Sequence, residues 1–473
     1  MKKKLIALAL ILVLALPLVS CFRSDNKYDY DLSKYLTIAD YKGYKVSIPL
    51  DQLTATIDNA LLNYATKRLV KEGDSIVINI KSAKCILGNG DYGPEITDLI
   101  KKDLEITNVG NGDFIKDFEL ALVGMSIGES KNIEITIPES FKASENSDAS
   151  QYAGKELLMT VEVSNIACKR GDGVSVDFIG YYTTTNEKGE LVIRKDKDGK
   201  EESFTTTFTS SGSNPSTVYL GSRMFIEDFE NGVVGMKVGE TKEVIATFPD
   251  DYHSEDLKGQ KTIFKITLKS VLEVPIYNDE FIKKNMTSYG YTTTAEYEQA
   301  LLDNYVKNTV YSHLSSDSKV IKYPKSEYKL IEDNLKANDA SFKATYGYDF
   351  DTYLKNYYGM TREQYIQSQV LTEMIYYTIS KAENIVPTQE MLDKARTDLI
   401  EKNKKEYLSA NTSASEKDAL DAATKYVDET LGSVYVYETT MYKMVDDFIL
   451  KSAVVTKEDK TYTSVTEERA KNA

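Results

Sequence analysis

Two stretches of this chain are versions of one another, and that duplication narrows the folds open to it. Residues 110–138 read GNGDFIKDFELALVGMSIGESKNIEITIP and residues 221–249 read GSRMFIEDFENGVVGMKVGETKEVIATFP, identical at 14 of 29 positions with no gap and an offset of 111. Phe114, Ile115, Phe118, Gly124, Met125, Gly128 and Pro138 align with Phe225, Ile226, Phe229, Gly235, Met236, Gly239 and Pro249. Each copy follows a run of alternating apolar and polar residues, Ser75–Ile80 after Gly73-Asp74 and Val174–Ile179 after Gly171-Asp172-Gly173. Each precedes another such run, Leu157–Val163 and Thr262–Leu268. Alternation is the mark of a half-buried strand. Between Ile115 and Gly124 the apolar positions fall three and four apart, which predicts a short helix entering a glycine turn. The pattern predicts two α+β domains, each a curved antiparallel sheet wrapped on a short helix. A unit of about 100 residues is large enough to bury its own core.

The chain has 473 residues, room for about two to four domains. From Val274 onward the apolar period changes to that of helices. Helix starts are predicted at Thr294 (running to about His313), after Pro324 at the first helical position, at Thr361 and at Thr388. A last helix is predicted over about Val436 to Lys451, with Met441, Met444, Val445, Phe448 and Ile449 on it. The fold class expected is multidomain α+β followed by all-α. Net charge is −15, from 58 Lys and Arg against 73 Asp and Glu. That balance argues against nucleic-acid binding, which needs clustered cations. With 2 His and 3 Cys, a zinc site of His and Cys is not expected. No cofactor is expected.

The N-terminus carries an address. Lys2, Lys3 and Lys4 form a positive region, Leu5–Leu16 an apolar one, and Pro17 ends it. The run is too short to span a bilayer and reads as a secretory signal peptide, residues 1–20. Leu18-Val19-Ser20-Cys21 resembles the bacterial lipobox, which implies acylation of Cys21 and a lipid anchor on the extracytoplasmic face of the cell membrane. A polar tether is expected over residues 21–35. Cys85 and Cys168 remain, read as two buried free thiols, with a disulfide as the alternative.

The second repeat copy resembles the FKBP-type peptidyl-prolyl isomerase domain in the form found in trigger factors. The resemblance rests on Phe225-Ile226-Glu227-Asp228-Phe229-Glu230, then Val234-Gly235-Met236-Lys237-Val238-Gly239-Glu240, then Phe248-Pro249-Asp250-Asp251-Tyr252-His253-Ser254-Glu255-Asp256-Leu257-Lys258-Gly259. Asp40–Lys67 is similar to the segment leading into that domain. The ribosome-docking signature G-F-R-x-G-x-x-P is not present, so no ribosome partner is expected. The domain plan expected is a first, degenerate FKBP-like domain with its lead-in over 36–168, a second over 169–273, a trigger-factor-like helical domain over 274–456 and a polar, frayed tail over 457–473.

By that resemblance the catalytic pocket of the second domain consists of Phe178, Phe225, Ile226, Phe229, Tyr252 and Phe264, with the Ile226 N–H facing the substrate carbonyl. Two departures stand out. The family's F-I-P-G-F-E is Phe225-Ile226-Glu227-Asp228-Phe229-Glu230 here, without the Pro and Gly. The family's Phe-Asp pair on the third strand has Phe204-Thr205 as its nearest counterpart, interrupted by a polar insertion, Thr183–Ser216. In the first domain Ile78 is taken to replace the strand aromatic and Met159 to replace Phe264. Phe141 stands near the Tyr252 position, and a polar loop over Lys142–Gln151 replaces the DYHxEDL stretch. His253 reads as a loop residue rather than a catalyst.

In the helical half, Tyr358-Gly359-Met360-Thr361-Arg362-Glu363-Gln364-Tyr365, Lys381-Ala382-Glu383-Asn384-Ile385 and Val445-Asp446-Asp447-Phe448-Ile449-Leu450 are again similar to trigger factors. The function expected is a membrane-anchored extracytoplasmic foldase, isomerase and chaperone, whose partners are unfolded or proline-containing polypeptides. The alternatives are a non-catalytic holdase and a peptide-binding surface lipoprotein with inactive domains.

Overall fold

The computed structural model describes residues 27–112, 114–140, 151–205 and 215–471. The expected signal peptide, Cys21, Phe141 and the loop through Ser150 lie outside them. The chain divides into two compact units: Leu50–Tyr297 with Lys460–Ala473, and the residues up to Pro49 with Glu298–Asp459.

The first unit holds both repeat copies. Helix α1 (Leu50–Leu62) and strand β1 (Thr66–Lys67) lead in. The first domain comprises β2 (Ile76–Ile86), β3 (Tyr92–Glu95), β4 (Lys101–Ile106), α2 (Lys116–Ala121), β5 (Ser130–Thr136) and β6 (Glu156–Ile166). Its strand order is β3-β2-β6-β5, with β4 also on β2. The second domain comprises β7 (Asp172–Thr185), β8 (Leu191–Ile193), β9 (Ser216–Tyr219), α3 (Glu227–Val233), β10 (Thr241–Thr247) and β11 (Lys261–Glu273). Its order is β8-β7-β11-β10, with β9 on β7 and β1 on β11. All these pairings are antiparallel.

Burial follows the alternation. β5 and β10 share one pattern, with Ile133 and Ile135 turned inward in one and Val244 and Ala246 in the other. The inward faces close over Phe118 and Phe229, fully buried on the two short helices. The repeat keeps its glycines because Gly124, Gly128, Gly235 and Gly239 all sit at φ between +82° and +89°, where a side chain is strained. The Gly124–Met125 turn exchanges backbone hydrogen bonds with Val70, and the Gly235–Met236 turn does so with Cys168. Cys168 therefore fills the slot that Val70 fills in the first copy, as a small buried apolar group. Burial pushes its thiol up to about 12. Both Cys85 and Cys168 are free.

Strand register corrects one sequence expectation. Ile266 pairs with Phe178, and its counterpart Val161 pairs with Ile80. The residue replacing Phe178 in the first domain is thus Ile80, not Ile78. Ile78 and Ile80 are both buried, two residues apart on one face, so the partner across the sheet is what tells them apart.

The two copies share an ionic knot. Arg68, fully buried, donates to Asp74 at 2.7 Å and Asp172 at 2.9 Å, with Glu273 at 3.7 Å. Asp74 and Asp172 occupy matching repeat positions. Each also accepts a backbone N–H, from Lys71 and from Lys169. These bonds offset a desolvation cost of several kcal/mol per buried ion.

The second unit is mainly helical: α5 (Thr294–Asp317), counted after the short α4 (Asp279–Asn285) of the first unit, then α6 (Lys325–Tyr346), α7 (Arg362–Ala382), α8 (Gln389–Ala410), α9 (Glu416–Lys425) and α10 (Gly432–Ser452). Thr361 and Thr388 cap α7 and α8 as expected, Thr361 in a full capping box with Gln364. Pro324 is the residue before the first helical one, at ψ 128°, rather than the first helical residue itself.

Three boundaries differ from the sequence plan. Residues 36–49, assigned by sequence to the first domain, lie with the helices: Leu36–Thr37 pairs with Lys319–Val320, and Lys45–Ile48 pairs in parallel with Val454–Lys457. The tether ends by Lys27, because the Lys27 side chain and Tyr28 are buried: Lys27 bridges Glu373 at 2.6 Å and Glu438 at 3.0 Å, and the Tyr28 hydroxyl donates to Glu373 at 2.9 Å. The tail is not frayed. Val465–Lys471 is helical, and Ser464, Val465 and Thr466 are buried. All three errors have one cause. The partners of these polar segments lie hundreds of residues away in sequence, and no local pattern reports them.

Candidate active site

The cavity of the second domain begins with Glu230. Its buried carboxylate accepts the backbone N–H groups of Gly221 at 2.7 Å, Arg223 at 3.3 Å and Phe225 at 3.0 Å. Burial pushes the carboxyl up, and the three N–H donors pull the other way. The bonds fold residues 221–225 back over α3 and set Phe225 and Ile226 at its N-terminal end. Glu119 does the same in the first domain, accepting from Gly110, Gly112 and Phe114. This is why Glu closes both FIxDFE motifs.

Above that loop lies a cavity of about 640 Å³. Phe178, Phe225, Ile226, Tyr252 and Phe264 line it, five of the six residues expected from sequence. Phe229 stands behind the lining, fully buried, and supports the rest: its ring centre is 4.9 Å from Phe225 (stacked), 5.1 Å from Phe264 and 5.2 Å from Phe178 (both edge-on). Such aromatic pairs add about 0.5–1.5 kcal/mol each beyond burial. The rings make a rigid apolar bowl. Ile226 precedes α3 at φ −60° and ψ 143°, so the bend survives without the family's Pro and Gly. Its N–H and the Tyr252 hydroxyl have no partner among the described residues.

Sequence reasoning missed part of the wall: Phe248 and Leu257, which lay in quoted motifs without a role, and Arg223 and Met224 at the rim. Phe204 and Thr205 also line it. The signal for Phe204 was there in Gly180. A side chain at Gly180 would overlap the Phe204 ring and come within 2.9 Å of Phe264, so only glycine lets two rings cross the strand. The Thr205 hydroxyl accepts the Gly180 N–H at 3.1 Å, a neutral group where the family carries an acid. The described part of the insertion is a hairpin, β8 on β7, continued by bridges from Tyr181 to Ser203 and from Lys195 to Glu201. His253 is exposed on the loop, its ring 4.2 Å from that of Tyr252.

Both copies match one family model, FKBP-type peptidyl-prolyl cis-trans isomerase, over residues 67–164 and 165–269. The trigger factor of Caldanaerobacter subterraneus is 26% identical over 324 residues, covering 63% of this chain and 68% of that protein. The trigger factor of Francisella tularensis subsp. holarctica is 26% identical over 346 residues, 70% of this chain and 72% of that one. That of Malacoplasma penetrans is 32% identical over 180 residues, 35% of this chain and 36% of that one. Among the most similar of these relatives, the chain spans between 60% and 72% of their length. The chain is trigger-factor-like, and residues 67–269 form two domains of the FKBP type in tandem.

Proposed function

We propose that the chain is a lipid-anchored extracytoplasmic foldase: its second FKBP-type domain isomerises X–Pro bonds, and its helical unit holds unfolded exported polypeptides. The observation that carries the enzymatic reading is the aromatic cavity with the free Ile226 N–H on its lining. Rotation about a peptide bond crosses a barrier of ~18–20 kcal/mol because conjugation is lost midway. In that twisted state the carbonyl is less polar and prefers a drier site. A bowl of Phe178, Phe225 and Phe264 seats the proline ring without water. The Ile226 N–H holds a carbonyl of the substrate backbone. Complementarity to the twisted amide then lowers the barrier with no nucleophile, proton transfer or metal. Phe229 acts from behind, by holding the ring positions.

The holding role is supported by an aromatic cluster in the helical unit. Phe342, Tyr346, Tyr348, Phe350, Tyr353 and Tyr357 have neighbouring ring centres 4.6 to 6.4 Å apart, with Tyr346 and Tyr357 more than half exposed. Tyrosine there offers apolar area with a wet edge. The anchor rests on Lys2–Cys21 alone. No helix among the described residues is long and apolar enough to cross a membrane.

The test is isomerisation of a short X–Pro peptide by the full chain in detergent, with Phe264→Ala beside it and folding checked by circular dichroism. Turnover that falls at least about tenfold in Phe264→Ala is expected. No turnover, with aggregation of a denatured client still suppressed, would leave a holdase. Mass spectrometry of Cys21 tests the anchor separately.

A further inference from the structure

The loop that rims the cavity is held from two sides. From inside, Glu230 binds the N–H groups of Gly221, Arg223 and Phe225. From outside, the C-terminal segment lies against it. The Tyr462 hydroxyl donates to the Ser222 carbonyl at 3.3 Å, and the Arg223 guanidinium sits 4.5 Å from the centre of the Tyr462 ring. The segment is itself firmly seated on the second domain and α1. Arg469 donates to the carbonyls of Gly171 at 3.0 Å and Val274 at 2.8 Å. Thr466 donates to Asp58, and Thr461 bonds Asp51.

Arg223 has a reason to need this support. Its φ is +60°, a left-handed conformation strained for a side-chain-bearing residue. The matching residue in the first copy, at the offset of 111, is Gly112, with φ +83°, where the same turn carries no such strain. The second domain has thus placed an arginine in a glycine slot, and that arginine lines the cavity next to Met224, Phe225 and Ile226. Its side chain stacks on Tyr462 and pairs with Glu227 at 3.3 Å.

We propose that Tyr462 is a positioning residue for the proline cavity, holding Arg223 and with it the turn that presents Phe225 and Ile226. The tail is then a built-in brace of the second domain. The proposal rests on the isomerase reading for its catalytic consequence but not for its structural one, so two readouts separate them.

The first is amide hydrogen exchange on the full chain. In Tyr462→Ala, exchange at the Arg223 and Phe225 amides, both bonded to Glu230, speeds up about two- to fivefold, the worth of one exposed cation–π contact. The matching amides of the first domain, Gly112 and Phe114 on Glu119, do not change. Tyr462→Phe, which keeps the ring, restores protection. Unchanged exchange at Arg223 and Phe225 in Tyr462→Ala, with the Thr466–Arg469 amides still protected, overturns the proposal. Arg223→Gly supplies the second variant. In that background Tyr462→Ala loses most of its effect, and a full-sized effect there also overturns the proposal. The second readout is kinetic: Tyr462→Ala raises KM for an X–Pro peptide by a similar factor while kcat changes less. If the wild-type chain shows no turnover, the isomerase reading fails, while exchange still decides whether Tyr462 braces the loop.

Discussion

In the first FKBP-type domain the positions of Phe178, Phe264 and Phe248 hold Ile80, Met159 and Ile137, all buried. Phe118, Phe114 and Ile115 remain where the second domain has Phe229, Phe225 and Ile226, and Glu119 ties the loop as Glu230 does. The frame is the same, and the walls differ. Ile115 is buried in the core, whereas Ile226 is half-buried and lines a cavity walled by phenylalanines that meet edge to face. The difference teaches that the short helix and its glutamate make the fold, while the strand aromatics make the site. One copy can therefore keep the first while the second changes.

The largest effect is expected where the copies meet. Arg68→Ala leaves Asp172 buried without its cation and Asp74 with Lys169 alone, at 2.7 Å, and should cost about 3–5 kcal/mol. Urea unfolding followed separately in each domain should then show two transitions where the wild type shows closely coupled ones. A single unchanged transition would mean that the matching carboxylates do not link the copies.

A smaller effect concerns the buttress of the second domain. Asp58 on α1 is buried and accepts from Thr466 of the tail, and burial raises its carboxyl from the ordinary 3.8 to about 6. A carboxyl that holds its proton more tightly when folded adds stability that is fully present below pH 3.8 and lost as pH rises through about 6. At ~1.4 kcal/mol per unit this amounts to about 3 kcal/mol. Asp58→Asn should flatten the melting temperature between pH 4 and 6, as read by scanning calorimetry, and an unaltered slope would remove Asp58 as its source.

The smallest pair tests the ring crossing. Gly180→Ala pushes a methyl into Phe204 and should cost about 1–3 kcal/mol and weaken peptide binding. The first-domain counterpart by register, Ala83→Gly, removes a buried methyl and should cost only about 0.5–1 kcal/mol. Equal costs in thermal melts would erase the distinction between the two walls.

Much of this was legible in the residues. Five of the cavity-lining residues came from the resemblance to FKBP-type domains, while the duplication, the strand–helix–turn order of each copy and the capped helix starts at Thr361 and Thr388 follow from local spacing and short motifs. These are properties of neighbours in sequence, set by alternation, by φ above zero at glycine and by side-chain caps. Tertiary structure alone decided the rest. It replaced Ile78 by Ile80, because the cross-strand partner, not the apolar alternation, tells two inward-facing isoleucines apart. It moved residues 36–49 to the helical unit and turned a polar tail into a seated helix, because strand pairing and buried ion pairs join segments far apart in the chain. It also put Arg223 against Tyr462. A sequence shows that both residues exist, but only the folded chain brings a ring 239 positions away onto the rim of the cavity.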